Sequence, residues 1–382
     1  MNSILYQKME GHARTHLANW RIGQRHNLDR FEKVGFPVRI QSVAETRQLI
    51  DTMQEDRFLS YQQELGGLSQ EDATMLASAC ARLMEFQQTT YPGFAPRPAL
   101  DSLMAMLACY KKLAGLKPGF ASVIEVGPGS GYLSFFLAQH PGLRSYALTE
   151  SCESFYLLQH LLNTHLFGQD FHQTATREEA PGFFVRPDDP LSEFIEAEPP
   201  LEKKPYRVTH YPWWRLGQLA HNECAEIVVS NANFLEFSVE ALRDYLALFQ
   251  QVLTPGGLIV CQCFGFETPE HDRTYLLEIL HAARIAPLFV NWGGQVKARG
   301  FWESHMAGDN RFVNHGDERR FTVANGVFVT ETHPLFDQCY QPENYTIHTL
   351  QNVAFLEVFF AQPEQGRIFS KDEICSLSLS AG

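Results

Sequence analysis

VIEVGPGSG, at residues 123–131, is the stretch of sequence that decides the fold. Its apolar start predicts a buried strand, and its glycines let the backbone turn tightly and approach a nucleotide with no Cβ in the way. The apolar run at residues 132–138 follows at once and predicts a helix. Because α/β proteins bind nucleotides where a strand passes through such a turn into a helix, this stretch predicts a nucleotide-binding α/β fold.

The spacing of the glycines indicates the kind of nucleotide. Dinucleotide-binding folds use Gly-x-Gly-x-x-Gly and hold a pyrophosphate at the helix N-terminus. Here Tyr132 occupies the place of the third such glycine, and Gly131 comes one residue early, so a nucleoside without phosphates fits better. Glu150 ends the next apolar stretch about twenty residues later, where a carboxylate can accept both ribose hydroxyls. Glu125 lies inside the apolar strand, where a carboxylate is costly to bury without a role.

The rest of the chain suggests two regions. From residue 116 onwards strand-like and helix-like segments alternate, which predicts a parallel sheet with helices on its faces. Residues 1–115 have a mostly helical pattern and are predicted to form a cap or lid, and 116–382 to form the ligand-binding domain. A stretch at about 169–206, rich in Pro, Asp and Glu, is predicted to be an inserted loop or lid. The predicted strands lie at 121–127, 145–150, 207–211, 226–230, 258–263, 321–330 and 353–361, with a helix at about 275–286.

Composition and charge exclude some classes of partner. The net charge of −13, with no Lys/Arg cluster to offset it, repels phosphate backbones, so we expect no nucleic-acid partner. No apolar run approaches the roughly 18 to 20 residues that span a bilayer, and the N-terminus lacks a secretory pattern. We therefore expect a cytoplasmic protein with no membrane contact. The eight scattered cysteines favour reduced thiols over a metal site or disulfides.

Residues 124–131 resemble the first motif of the class I S-adenosylmethionine-dependent methyltransferases. More narrowly, residues 125–133, 155–159 and 210–214 resemble the sugar O-methyltransferases of bacterial biosynthetic clusters. Methyltransferase-like S-adenosylmethionine cyclases, the azetidine-2-carboxylate synthases, are similar as well. The resemblance implies a Rossmann-like class I methyltransferase fold, a mostly parallel seven-stranded sheet with helices on both faces, and an N-terminal helical cap. It also implies S-adenosylmethionine as cosubstrate, no metal and a small-molecule substrate.

The same resemblance indicates how the cosubstrate is held. It implies that the glycines line the methionine and ribose side, that Glu150 holds the ribose and that Glu125 organises the turn. Arg97 precedes the domain and could hold the methionine carboxylate. The alternative is that it is an exposed surface arginine with no ligand. The residues predicted to bind the cosubstrate are Glu125, Gly127, Gly129, Ser130, Gly131, Glu150, Ser230 and Arg97.

The third predicted strand ends in an unusual sequence, His210-Tyr211-Pro212-Trp213-Trp214. Ligands of open α/β sheets lie outside the carboxyl ends of the strands, so these side chains are candidates for the site. His210 could act as a general base, and Tyr211 could face the sulfonium of the cosubstrate by a cation–π contact. The alternative for the two tryptophans is packing in the core or under a lid.

The fourth predicted strand ends with Ser230, Asn231 and Asn233, whose hydroxyl and two amides could bind a ligand amine or carboxylate. In the sugar O-methyltransferase pattern a histidine often follows the first asparagine, whereas this chain has Ala232. The difference weakens the case for hydroxyl methylation unless His210 supplies the base. The alternative is a purely structural role, in which the two asparagines cap the following turn. The candidate catalytic residues are therefore His210, Tyr211, Asn231 and Asn233.

Three functions remain open from the sequence. The first is methyl transfer to a small acceptor in secondary-metabolite biosynthesis, where positioning supplies most of the rate. The second is cyclisation of S-adenosylmethionine to azetidine-2-carboxylate and methylthioadenosine, which the missing histidine suits. The third is a non-catalytic sensor of S-adenosylmethionine. The acceptor and the oligomeric state stay open.

Overall fold

The computed structural model describes residues 1–16, 37–52, 57–176, 181–190, 206–231, 233–262, 273–291, 325–345 and 366–380. The predictions about Ala232 and about a strand at 353–361 lie outside these residues. The described strands are β1 (Ser122–Val126), β2 (Ser145–Glu150), β3 (Phe171–Gln173), β4 (Val208–Pro212), β5 (Ala225–Asn231), β6 (Leu253–Gln262), β7 (Ala286–Asn291) and β8 (Asn325–Val329). The described α-helices are α1 (Ser3–Arg14), α2 (Arg47–Thr52), α3 (Phe58–Glu64), α4 (Gln70–Thr90), α5 (Leu100–Leu116), α6 (Leu133–Gln139), α7 (Glu153–Phe167), α8 (Leu216–Asn222), α9 (Asn233–Glu236), α10 (Val239–Val252), α11 (Arg273–Ala282), α12 (Phe336–Cys339) and α13 (Lys371–Ser380).

The strands form one twisted layer in the order β3-β4-β2-β1-β5-β6-β8-β7. The pairs from β3 through β6 are parallel, and β8 runs antiparallel to both β6 and β7. Two apolar clusters lie on opposite faces of the sheet, one mainly under α4–α7 and the other mainly under α8, α10 and α11. The predicted architecture, a mostly parallel sheet with helices on both faces, is confirmed. The carboxyl ends of β1, β2, β4, β5 and β6 consequently meet at one edge.

The prediction of seven strands is wrong, because the described sheet has eight. One addition is β3, which lies inside the stretch predicted to be an inserted loop and pairs with β4. Another strand that the sequence did not reveal is β7, since the preceding helix was predicted to continue to residue 286. The helix ends at Ala282 instead, with Arg284 at φ 53° and the amide of Ile285 bonded to the carbonyl of Leu280. This helix stop usually carries glycine, so an arginine there gives no sequence signal.

The helices before β1 pack on the same core as the sheet. α4 is capped by Ser69, whose side chain accepts from the amide of Asp72 in a capping box. α5 packs against both α4 and α6, and α13 returns from the other end of the chain to lie on α4. The division into a cap at 1–115 and a domain at 116–382 stays a prediction.

No helix among the described residues is long and apolar enough to cross a membrane. The same described ranges contain no group of His, Cys, Asp and Glu side chains arranged to hold a metal ion.

Candidate functional site

The glycine turn between β1 and α6 needs glycine at every other position. Gly127, Gly129 and Gly131 have φ values of 61°, 58° and 75°, in the left-handed region that other residues rarely adopt. A Cβ on Gly127 would stand 2.0 Å from Oδ1 of Asn233, and one on Gly131 would stand 3.1 Å from Cγ of Gln159. The turn is therefore fixed both by its own backbone and by two amide side chains that press against it.

Asn233, the first residue of α9, supports this turn from just beyond the end of β5. Its Nδ2 donates to the carbonyl of Val126 at 2.6 Å and to the carbonyl of Asn231 at 2.8 Å. Oγ of Ser230, which is buried, lies 3.2 Å from the same nitrogen. Because an amide nitrogen has only two hydrogens, these contacts use its capacity to donate. Asn233 and Ser230 thus support the shape of the glycine turn, and any role in catalysis or in binding stays a prediction.

Glu150 ends β2 beside the turn and is linked to it. Its Oε1 accepts from the backbone amides of Ser151 and Cys152 at 2.8 and 3.0 Å, and Oε2 accepts from Nε2 of Gln159 at 3.0 Å. The same Nε2 donates to the carbonyl of Gly129 at 2.7 Å. Burial raises the pKa of the Glu150 carboxyl, while these donors act in the opposite direction.

Gln159 leaves an acceptor unused at this point. Its Oε1 is buried and has no hydrogen-bond partner among the residues described. A buried polar atom without a partner is costly, and a ligand that supplies a donor removes the cost. Oε1 of Gln159 and the carboxylate of Glu150 together offer what a ribose diol requires, two neighbouring acceptors at the carboxyl edge of the sheet.

Glu125 lies in the middle of β1, fully buried, and accepts a short hydrogen bond from the hydroxyl of Tyr146 on β2. That hydroxyl is also 3.3 Å from Oγ of Ser134 at the start of α6. Burial raises the pKa of the Glu125 carboxyl to about 7, with the nearby Glu150 adding to the effect and the Tyr146 bond opposing it. Glu125 therefore joins the strand below the glycine turn to the helix above it.

Asn231 ends β5 and turns towards α5. Its Nδ2 lies 3.8 Å from Sγ of Cys109 and 4.0 Å from Sδ of Met106, which are weak acceptors. Its Oδ1 is buried and has no hydrogen-bond partner within the described part of the chain. Of the four candidate catalytic residues, Asn231 is the one that presents an unused polar atom near the glycine turn.

His210 occupies β4 beneath α7, with none of its surface exposed. Its ring stacks on that of Tyr156, with centroids 3.8 Å apart, and both ring nitrogens are buried without a partner among the described residues. Burial holds the pKa of His210 well below its usual range. The ring is therefore neutral and enclosed, and these contacts do not favour the predicted role as a base.

Tyr211 and the two tryptophans are also packed away. The hydroxyl of Tyr211 donates to Oε1 of Glu223 at 2.8 Å, and Glu223 also accepts from Ser145, the first residue of β2. The hydroxyl thus lies towards the amino edge of the sheet, opposite the glycine turn. Nε1 of Trp213 donates to Glu10 of α1 at 3.2 Å, and Trp214 packs edge-on against Tyr6 of the same helix.

The structure brings most, but not all, of the predicted binding residues together. The glycines, Ser130, Glu150 and Ser230 share the edge formed by β1, β2 and β5, and Glu125 lies directly below it. Arg97 lies in the segment between α4 and α5, where its backbone is held by Gln87 and its side chain is exposed. The predicted contact of Arg97 with the cosubstrate stays a prediction.

Sequence reasoning included Gln159 in the 155–159 resemblance without giving it a role in the site, and it did not identify Tyr146. Gln159 stands two turns into the largely apolar helix α7, nine residues after Glu150, and its polarity in that helix was the available signal. Tyr146 gave no signal, because a tyrosine in a strand is ordinary core packing. The contacts bring two buried acceptors, on Glu150 and Gln159, beside a turn in which Gly127 and Gly131 leave no room for a Cβ.

Comparison with protein-family models and with curated proteins finds no match. Solved structures similar to this chain include an amino pentose methyltransferase of calicheamicin biosynthesis from Micromonospora echinaspora, with S-adenosylmethionine bound. It has 17% identity and a TM-score of 0.26 over 44% of this chain and 52% of its own length, about half. The CcbJ methyltransferase from Streptomyces caelestis has 13% identity and a TM-score of 0.35 over 66% of this chain and 98% of that one. The mitomycin 7-O-methyltransferase MmcR has 10% identity and a TM-score of 0.33 over 61% and 56%.

Proposed function

We propose that this protein binds S-adenosylmethionine and transfers its methyl group to a small molecule of secondary metabolism. The observation that carries the proposal is the link from Glu150 through Gln159 to Gly129. It puts a buried carboxylate and a buried, unused amide oxygen beside a turn in which Gly127 and Gly131 have no room for a side chain. These are the requirements for holding a ribose while its nucleoside crosses the end of β1.

The charges of the molecule agree with a cationic ligand. The chain has a net charge of −13, and two carboxylates, Glu125 and Glu150, are buried within or just below the proposed pocket. No lysine or arginine is paired with either of them in the described contacts. A sulfonium placed near these groups restores part of the electrostatic balance that burial removes.

The reaction needs an acceptor held in line with the methyl–sulfur bond. A lone pair on its oxygen or nitrogen attacks the methyl carbon while the carbon–sulfur bond breaks and its electrons pass to sulfur. The acceptor then releases its proton. Positioning supplies most of the rate of such a displacement, so a strong base is not essential. In this proposal Asn231 orients the reacting group, and the helical region at 1–115 covers it, with α5 already lying against Asn231.

The test is product analysis. The purified protein is incubated with S-adenosylmethionine alone and then with a panel of neutral sugars and amino sugars, and the products are separated by mass spectrometry. Acceptor-dependent formation of S-adenosylhomocysteine supports methyl transfer. The Glu150→Gln variant tests the pocket, because it keeps the shape of the side chain and removes its charge. Equal product from this variant and the wild type would contradict the proposed pocket.

A second candidate, cyclisation of the cosubstrate, is favoured by one specific observation. The histidine predicted to deprotonate a hydroxyl, His210, is enclosed under α7, whereas Oδ1 of Asn231 is a buried acceptor awaiting a donor. In cyclisation the α-ammonium first gives a proton to solvent. Its nitrogen then attacks the γ-carbon, the γ-carbon–sulfur bond breaks, and the electrons leave with methylthioadenosine. Methylthioadenosine and azetidine-2-carboxylate in equal amounts, formed without any acceptor, would replace methyl transfer with this reaction.

A further inference from the structure

Helix α1 is fastened to the start of α7, just after the proposed ribose carboxylate. Glu153, the first residue of α7, lies three residues after Glu150 and is buried. Its Oε1 accepts from Nε2 of Gln7 on α1 at 2.8 Å, and its Oε2 accepts from Nη1 of Arg39 at 2.8 Å. The stretch of chain that carries the proposed ribose acceptor is therefore tied to α1 and to the segment before α2.

Arg39 joins two buried carboxylates. Its Nη1 lies 2.6 Å from Oε2 of Glu10 on α1, in addition to its contact with Glu153. The side chains of Glu10 and Glu153 are 5% and 0% exposed, whereas that of Arg39 is 34% exposed. A buried charge that loses its partner is strongly destabilising unless it returns to water. The docking of α1 on α7 therefore depends on Arg39.

α1 also contacts the strand that neighbours Glu150. Oε1 of Glu10 accepts from Nε1 of Trp213 at 3.2 Å. Trp213 directly follows Pro212, the residue of β4 that pairs with Glu150 in the sheet. Through Glu10 and Glu153, α1 consequently holds both the strand end beside Glu150 and the helix start that follows it.

The loop between Glu150 and α7 lies between these attachments. The backbone amides of Ser151 and Cys152 donate to Oε1 of Glu150 and so set the direction of its carboxylate. The carbonyl of Val38 accepts from the amide of Ser154 at 3.2 Å and lies 3.7 Å from Sγ of Cys152. A shift of this loop would move the Glu150 carboxylate together with its donors. Supporting contacts of this kind determine how accurately a binding group is placed.

We propose that Arg39, by joining Glu10 to Glu153, is a positioning residue for the cosubstrate. It holds α1 against the loop after Glu150, and that loop in turn holds the carboxylate that accepts from the ribose. The inference rests on the proposed function, because only a nucleoside at Glu150 makes the position of the loop matter for binding. Coupling between two sites is reciprocal, so a bound nucleoside stabilises the docking of α1 by the same factor.

Arg39→Met is the test variant, and Arg14→Met is its matched control. Arg14 pairs with the same carboxylate, Glu10, at 3.2 Å from within α1, so its replacement removes an equal charge and leaves the Arg39 bridge intact. Calorimetry with S-adenosylhomocysteine measures the affinity. We expect Arg39→Met to weaken binding about 10-fold and Arg14→Met to change it by less than about 2-fold. Because a single nitrogen of Arg39 makes both contacts, Arg39→Lys should stay within about 3-fold of the wild type.

Hydrogen–deuterium exchange of the wild type keeps the test decisive if Arg39→Met folds poorly. S-adenosylhomocysteine should slow exchange in α1 as well as in residues 151–154, and Arg14→Met should retain this response. Wild-type affinity in Arg39→Met, equal losses in the two methionine variants, or exchange in α1 that ignores the nucleoside would overturn the positioning role. A wild-type protein that does not bind S-adenosylhomocysteine would instead overturn the proposed function.

Discussion

Two regions at the strand ends were both predicted from the sequence to belong to the site, and they have opposite environments in the structure. At the ends of β1 and β2, the glycine turn and Glu150 meet through Gln159, and an acceptor atom is left unused. At the end of β4, His210 is enclosed under α7 and the hydroxyl of Tyr211 points to the other edge of the sheet. We call these the turn region (Gly127–Gly131, Glu150 and Gln159) and the β4 region (His210–Trp214).

The difference shows that an unusual sequence at a strand end is not enough to define a site. The turn region consists of backbone and polar side chains, and Oε1 of Gln159 stays without a hydrogen-bond partner among the described residues. The β4 region carries large rings, which pack against one another and against α1, so its edge is closed by apolar contact. Unusual polar or aromatic residues at a carboxyl edge are therefore candidates only until their packing is known.

The strongest test of the comparison is Gly127→Ala. The new Cβ would meet Asn233 in a left-handed backbone, so we expect the free energy of unfolding to fall by about 3 to 4 kcal/mol. The matched control is Gly119→Ala, at φ 71° with no atom within 4 Å of the new Cβ, which should cost only about 1 to 2 kcal/mol. Chemical denaturation measures both. Equal losses would show that Asn233 does not press on the turn.

Replacement of the carboxylate in the turn region should have the next largest effect. Glu150→Ala removes the proposed partner of two ribose hydroxyls, so we expect S-adenosylhomocysteine to bind about 100-fold more weakly, equivalent to about 3 kcal/mol. Isothermal titration calorimetry gives the affinity. Tyr211→Phe, in the β4 region, should leave that affinity unchanged. A variant at Glu150 with wild-type affinity would remove the contrast between the two regions.

The buried side chains of Glu125 and His210 should make stability depend on pH in opposite directions, and Glu125 should have the larger effect. Its pKa is about 7 in the folded protein, above its ordinary value, so the folded state holds the extra proton between these values. Stability of the wild type should therefore fall as pH rises from about 4.5 to 7, by on the order of 2 to 3 kcal/mol relative to Glu125→Gln. Denaturation at several pH values measures the difference. A constant difference would contradict the burial of this proton.

His210 should show the reverse dependence and the smallest effect on function. Its pKa is lowered by burial, so the unfolded chain takes up a proton first, and stability is lost as pH falls below about 6.5. His210→Phe keeps the stack on Tyr156 and removes the titration. We expect it to gain about 1 to 2 kcal/mol on the wild type between pH 7 and pH 5, with turnover unchanged. Loss of turnover at full stability would restore His210 as a base.

Much of the fold was predictable because its signals are local. The alternation of strands and helices after residue 116 predicted the parallel layer, and the residues of β1, β2, β4 and β5 were identified nearly to their ends. β3 and β7 were not predicted. β3 has three residues and depends on its pairing with β4, and β7 follows a helix stop at Arg284 that carries no glycine. Neither the pairing of strands nor an uncommon backbone angle can be inferred from the local amino-acid composition.

What the sequence by itself determined is the turn: glycines at 127, 129 and 131 after an apolar strand, with an acid at the end of the next strand. Backbone angles and strand order make that prediction nearly independent of the rest of the chain. Only the tertiary structure decided which other polar groups join it. Gln159 is brought to the edge by α7, while His210 is covered by the same helix. Burial and hydrogen-bond satisfaction depend on neighbours distant in sequence, and they separate a site from a core.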